Sequence, residues 1–229
     1  RRERSQAEIR KQLLELKLQA LRSQMNPHFI FNTLAAIQQF IPVNEGAQAH
    51  KYLAVFARLI RRVLDQSRSR SILLQEEIET LKLYLQIEDL RFQGKFSFEI
   101  RVDEQLNPEQ VLLPPMLVQP FVENAIQYGL RHKTSPGHLR IEFRREQDEL
   151  WCEVHDDGIG RVAAGRLHQN RPPRNSQSTR ITEERLQSLH KLIQTRAGID
   201  ILALYDPEGQ PAGTKVLIRF PYLTISEQY

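Results

Sequence analysis

At Gly94 the spacing of apolar residues changes character, and that change limits what the chain can become. Before it, apolar residues recur every three or four positions. After it they alternate with polar ones, in Phe96, Phe98, Ile100 and Val102, in Leu139, Ile141 and Phe143, in Leu150, Cys152 and Val154, and in Val216, Ile218 and Phe220. A period near 3.6 belongs to helices and a period of 2 to strands with one wet face, so a helical part is followed by a sheet-bearing one. Alternation of this kind predicts a largely antiparallel sheet covered on one side, because the strands of doubly covered parallel sheets read as unbroken apolar runs. The stretch 199–205 is more continuously apolar and is expected in the middle of the sheet. Helices at 115–128 and 182–196 would supply the cover, the second opened by Thr182 with Glu183 and Glu184 in its first turn. The expected architecture of this part is a two-layer α/β sandwich.

The helical part is nearly free of glycine from 7 to 39. Ile9, Leu13, Leu16 and Ala20 form one seam, and Leu14, Leu18, Leu21 and Met25 a second beside it, as a coiled coil entering a bundle requires. His28 continues the second seam by spacing, which is also where a core histidine would stand. Pro27, just before it, removes a main-chain hydrogen bond and bends a helix, re-aiming the residues on its C-terminal side. Ile41-Pro42-Val43-Asn44-Glu45-Gly46 breaks the helix, and a second helix is expected at 48–67, with Tyr52, Leu53, Phe56, Leu59, Ile60, Val63 and Leu64 on its apolar side. Such a hairpin leaves apolar faces uncovered, so a symmetric homodimer forming a four-helix bundle is the economical arrangement. A polar run at 65–71 precedes a third helix at 74–91, which Gly94 ends.

A formal charge of +4, from 32 basic and 28 acidic residues, is too small to signal nucleic acid without a concentrated patch. No apolar run approaches the ~20 residues that cross a bilayer, although the arginines at Arg1, Arg2 and Arg4 would suit the cytoplasmic edge of a span lying before them. The single cysteine, Cys152, sits in a strand pattern and reads as core. The stretch 161–180 is arginine-rich, with little to bury, and long for a connection inside a domain; it suits a phosphate-binding lid or an idle solvated loop.

Three segments of the sandwich can carry chemistry. In Val118-Gln119-Pro120-Phe121-Val122-Glu123-Asn124-Ala125-Ile126-Gln127-Tyr128-Gly129, adjacent Glu123 and Asn124 stand on a mostly apolar helix; a carboxylate and an amide oxygen there can hold hydrated magnesium, or the Asn can bond a loop backbone. In His155-Asp156-Asp157-Gly158-Ile159-Gly160, glycines permit close backbone approach and a carboxylate can accept a hydrogen bond from an exocyclic amine; a plain Asp-Gly turn explains the segment as well. A dinucleotide fingerprint fits Gly158, Gly160 and Ala163 only loosely, since paired aspartates would face pyrophosphate. Gly213-Thr214 before the last strand allows contact with a ligand lying across the sheet. No Gly-Lys-Ser/Thr loop and no zinc spacing of Cys and His is present.

Taken in order, the coiled coil, Asn26-Pro27-His28-Phe29-Ile30-Phe31-Asn32, the hairpin, the Glu-Asn-Ala helix, the Asp-x-Gly-x-Gly loop, the basic segment and the Gly-Thr strand resemble the LytS-like sensor histidine kinases, whose catalytic half is a GHKL (Bergerat-fold) ATPase. The resemblance runs from about residue 16 to 221. It implies His28 as phosphoacceptor, with Asn32 one turn further on orienting the ring or a water. It implies Asn124 as the magnesium ligand with Glu123 beside it as a catalytic group, Asp156 as the reader of the adenine amine, and Gly158, Gly160 and Thr214 as the clearance around the nucleotide. Tyr128 stands where this class commonly has histidine and would stack on the base; Arg131, His132 and Lys133 would meet phosphates. The second glycine box of the family appears here as 176–186 with no glycine at all, which puts lid closure in question.

The resulting expectation is a coiled-coil signalling helix at 1–22, dimerisation and histidine-phosphotransfer helices at 23–93, and an ATP-binding domain at 94–229. The expected reaction is ATP- and Mg2+-dependent autophosphorylation followed by transfer to the receiver domain of a response regulator, in the cytoplasmic portion of an inner-membrane sensor tethered by a preceding region. The alternatives are a degenerate nucleotide-binding scaffold and a nucleic-acid binder, the latter without aromatic interleaving to support it.

Overall fold

The computed structural model describes residues 27–38, 46–67, 69, 71–160 and 198–227, in a chain that divides into two units, Arg1–Arg68 and Ser69–Tyr229. The seams of residues 9–25, the stretch 161–180 and the helix expected at 182–196 lie outside the described residues, as does the chain before Pro27, where the bend was expected.

In the first unit α1 (Pro27–Gln38) and α2 (Gly46–Gln66) pack on each other. Phe56, Leu59 and Val63, spaced three and four apart, form the buried stripe of α2, and Thr33 and Ile37 are buried on α1. Leu34, Leu53 and Leu64 are exposed.

The second unit begins with β1 (Ile72–Leu73) and α3 (Leu74–Arg91). Glu76 accepts the main-chain N–H of Leu73 at 2.9 Å, and Glu76 and Glu77 in the first turn with Arg91 in the last complement the helix dipole. Phe92 donates to Glu88 O and Gly94 to Asp89 O, while Gln93 and Gly94 take left-handed φ of 53° and 71° and end the helix. Leu74, Ile78, Leu81, Tyr84, Leu85 and Ile87 are all buried, so this helix is enclosed on more than one face. By compactness α3 groups with the second unit, the division falling at Arg68/Ser69, whereas the sequence reading places it with the helices of 23–93.

The main sheet has the order β2 (Phe96–Val102), β4 (Gly137–Glu146), β5 (Glu149–Asp156), β7 (Pro211–Pro221), β6 (Gly198–Tyr205). Only β2 and β4 run parallel; the other three pairings are antiparallel. Leu139, Ile141 and Phe143, Leu150, Cys152 and Val154, and Val216, Ile218 and Phe220 are buried on one face, as the alternation predicts. Burial pushes the Cys152 thiol well above its ordinary range, in keeping with a core residue. On the opposite face the largely buried Glu153 is surrounded by Lys215 at 3.0 Å, Arg140 at 3.5 Å and Arg144 at 3.6 Å. There Arg144 also lies 5.0 Å from the Trp151 ring centroid.

One expectation fails. The strand β6 lies at the sheet edge and not in its middle, with Leu202 and Tyr205 exposed. An apolar run reports what covers a strand above and below and says nothing about its neighbours in the plane.

A small sheet, β1–β3–β8, joins β1 and the C-terminal β8 (Leu223–Thr224) to opposite edges of β3 (Val111–Leu113). Leu73 pairs with Leu112, and Leu112 in turn with Leu223. From β3 the chain passes through Met116, whose φ is 59°. The helix expected at 115–128 starts only at Gln119, since the left-handed Met116 cannot extend it backwards. It runs as α4 (Gln119–Asn124), a π turn (Ala125–Gly129) and a 3-10 turn (Leu130–His132), with the π turn against β5 and β7. Together these form the site helix, 119–132.

Candidate functional site

The C-terminal end of β5 meets the start of β7 beside the π turn, and Asp156 is the residue at that junction. As the last residue of β5 it pairs with Thr214 across to β7 and with Leu139 across to β4. Only 3% of it is exposed. Its Oδ1 accepts the Gly158 N–H at 3.0 Å, and the Thr214 main-chain N–H also bonds the carboxyl. Burial pushes the carboxyl up to about 7 against these two hydrogen bonds; the Asp157 charge adds to the rise and Lys133 opposes it. An enclosed carboxyl is a polar anchor in apolar surroundings, which suits selective hydrogen bonding to a nitrogen base.

The glycines around it are there because nothing larger fits. A Cβ on Gly158 would overlap the backbone of Gly129, and one on Gly129 would stand 2.5 Å from Asp156 Oδ1. A Cβ on Gly213 would overlap the main-chain oxygen of Asp156, and φ at Gly213 is 134°. Gly160, with φ of 72°, turns the chain beside Pro211. The Ile159 N–H donates to Gly129 O at 3.3 Å, tying the loop after β5 to the site helix.

Asp157 turns the other way. Its Oδ1 accepts the His138 N–H at 2.7 Å and its Oδ2 pairs with Lys133 Nζ at 2.8 Å. Lys133 is thus held by a carboxylate at the mouth of an open pocket of about 500 Å³, formed by residues 132–135, 157–159 and 211–212.

The structure therefore brings Asp156, Gly158, Thr214 and the π turn together, with Lys133 and Gly160 alongside. Glu123 and Asn124 are the half-buried last residues of α4, and Tyr128 is 38% exposed in the π turn. His28 and Asn32 have helical backbone in α1 of the other unit. Among the described residues no three His, Cys, Asp or Glu side chains gather as a metal cage. Sequence reasoning missed Gly129 and Asp157 as members of the site. The signals were present, a glycine closing the Glu-Asn-Ala helix and a second aspartate beside the first.

Residues 16–96 match the family described as Histidine kinase. Sensor protein LytS of Staphylococcus epidermidis is 28% identical over 229 residues, covering 98% of this chain and 37% of that protein. Sensor protein LytS of Oceanobacillus iheyensis is 33% identical over 188 residues, covering 79% of this chain and 32% of that protein. The histidine kinase domain of the Erythrobacter litoralis EL346 blue-light activated histidine kinase superposes with a TM-score of 0.49 at 18% identity, over 91% of this chain and 96% of that one. The chain belongs to the histidine kinases. Among them it is LytS-like, and it spans about a third of the length of the two LytS relatives.

Proposed function

We propose that this chain is the kinase core of a two-component sensor, which binds ATP in the second unit, phosphorylates its own His28 and passes the phosphoryl group to an aspartate of a response-regulator receiver domain. The observation that carries the reading is the buried Asp156 carboxyl, packed closely against Gly129 and Gly158 and hydrogen-bonded by the Gly158 and Thr214 amides. In this reading Asp156 accepts the amine of adenine, and Gly158, Gly160 and Thr214 leave room for the ring and sugar. Tyr128 stacks on the base. The Asn124 amide oxygen would ligate Mg2+ in company with phosphate oxygens, and the ion would neutralise charge on the transferred group. Glu123 lies beside it as the acidic group of the transfer step. Lys133 exchanges its Asp157 partner for a phosphate.

Neutral imidazole is a competent nucleophile near pH 7, and a nitrogen of His28 forms the new bond to phosphorus as the bond to ADP oxygen breaks. Asn32, one turn along α1, orients the ring or a water. The exposed Leu34, Leu53 and Leu64 of the hairpin support a homodimer through a four-helix bundle. Among the described residues no helix is long and apolar enough to cross a membrane; a preceding region would tether this core to the inner membrane from the cytoplasmic side.

The test is incubation with ATP labelled on its γ-phosphate. An acid-labile, base-stable label on the wild type that disappears in His28→Gln is expected. A label that persists in His28→Gln refutes the assignment of that residue.

A further inference from the structure

Helix α3 carries Glu77 and Glu88, 1% and 0% exposed, on a helix otherwise enclosed by apolar neighbours. A carboxylate in such a place is destabilising unless something specific holds it. What holds Glu77 is the start of the site helix. Its Oε2 accepts the Met116 N–H at 3.1 Å and its Oε1 the Val118 N–H at 3.4 Å. Met116 is the left-handed residue of this segment, and Val118 caps α4. One side chain from a different helix thereby satisfies the Val118 N–H at the cap of α4 and the Met116 N–H two residues before it.

Three turns along α3, about 16 Å by the rise of an α-helix, Glu88 is paired with Arg91 at 2.7 Å. The charges that act on Glu88 besides Arg91 are Glu123 and Arg131 of the site helix. Helix α3 therefore holds the approach to the site helix through Glu77, and Glu88 further along feels the charges of Glu123 and Arg131. A shift at Met116 and Val118 is carried down the hydrogen-bonded turns of α4 to Glu123 and Asn124.

We propose that Glu77 is a positioning residue, which fixes the origin of the site helix and through it the place of the Asn124 amide where nucleotide-bound magnesium is taken up. This inference rests on the role proposed for Asn124 as magnesium ligand. A residue that only stabilised the fold would change the fraction of folded protein and leave the affinity of the folded fraction alone. A positioning residue changes magnesium-dependent binding selectively.

The experiment compares the full chain with Glu77→Gln and with Leu81→Ala, a buried α3 residue that holds neither Met116 nor Val118. Two readouts are taken, amide hydrogen exchange of residues 116–125 in nucleotide-free protein, and the affinity for a fluorescent trinitrophenyl-ATP with Mg2+ or with EDTA. A charge-assisted hydrogen bond of this kind corresponds to about tenfold in an equilibrium. Glu77→Gln is expected to speed exchange at 116–125 about tenfold while β4 and β5 keep their protection. It is also expected to weaken binding about tenfold with Mg2+ and less than twofold with EDTA, whereas Leu81→Ala leaves both affinities within twofold. Should Glu77→Gln not fold, Glu77→Asp, which keeps the charge and withdraws the oxygens by one methylene, takes its place with the same split expected. Unchanged exchange at 116–125, or equal loss with and without Mg2+, overturns the proposal. If the wild type binds no nucleotide the reading of the site falls, and the exchange measurement still decides whether Glu77 holds the helix.

Discussion

Replacing Gly213 by Ala tests the junction at Asp156 more directly than any change to the aspartate itself. The new Cβ would overlap the Asp156 main-chain oxygen and stand 3.0 Å from Asp157 Cα, and both neighbours are backbone of a paired strand or the turn leaving it. Nothing flexible is available to give way, so β5 and β7 must part locally. Overpacking against fixed atoms costs about 1–3 kcal/mol, and the φ of 134°, a region nearly confined to glycine, adds roughly 1–3 kcal/mol for alanine. The sum is about 2–6 kcal/mol, which for a chain of this size lowers Tm by roughly 4–24 °C. Gly209→Ala provides the internal control: φ there is 78°, yet nothing lies within 4 Å of the added Cβ. Only conformational strain of about 1–2 kcal/mol applies, or roughly 2–8 °C. Trp151, the single tryptophan, pairs across to Arg219 of β7 and reports the melting of this sheet by fluorescence. Gly213→Ala should unfold below Gly209→Ala by the overpacking share of about 1–3 kcal/mol, roughly 2–12 °C. Equal midpoints would show that the close approach of β7 to Asp156 does not exist in solution.

Glu77, Glu88 and Asp156 all have carboxyls pushed up to about 7 by burial. Each takes up protons more readily folded than unfolded, so its contribution is fully present below the ordinary carboxylate range and is lost as pH rises through about 7. The urea midpoint, followed by Trp151 fluorescence, should fall between pH 6 and pH 8, by about 1 kcal/mol in stability per group. Asp156→Asn should remove one such share, and an unchanged slope in that variant refutes the shift assigned to Asp156. Lys133→Ala removes a partly exposed pair with Asp157 and should cost under ~1 kcal/mol in stability; trinitrophenyl-ATP binding with Mg2+ should weaken about tenfold, the worth of a charge-assisted contact, and unaltered affinity would remove Lys133 from the phosphate-binding set.

Period and punctuation made part of this fold legible from residues alone. The alternation after Gly94 marks β2, β4, β5 and β7 because each has one wet and one dry face, and helix 74–91 is legible from its apolar spacing and its glycine stop. The edge position of β6 was not legible, since no local pattern encodes a neighbour in the plane of a sheet. The late start of α4 was hidden as well: Met116 carries no mark of a left-handed conformation, and it is held there by Glu77 from a helix 39 residues away. Asp156 stood out beside glycines, whereas Glu77 and Glu88 looked like ordinary surface glutamates of a Glu- and Leu-rich helix. Only three-dimensional packing distinguishes a buried carboxylate from a solvated one.

The three short strands at the beginning of the second unit have a mechanical meaning. What precedes α3 is not a free helix end but β1, spliced through β3 to β8. Since β1 runs straight into α3 and β3 leads to Met116 and the site helix, one small sheet ties the start of α3 to the approach to Asn124. β8 braces the far edge of β3, so removing Leu223 and Thr224 would strip Val111 and Leu112 of their partners on that side.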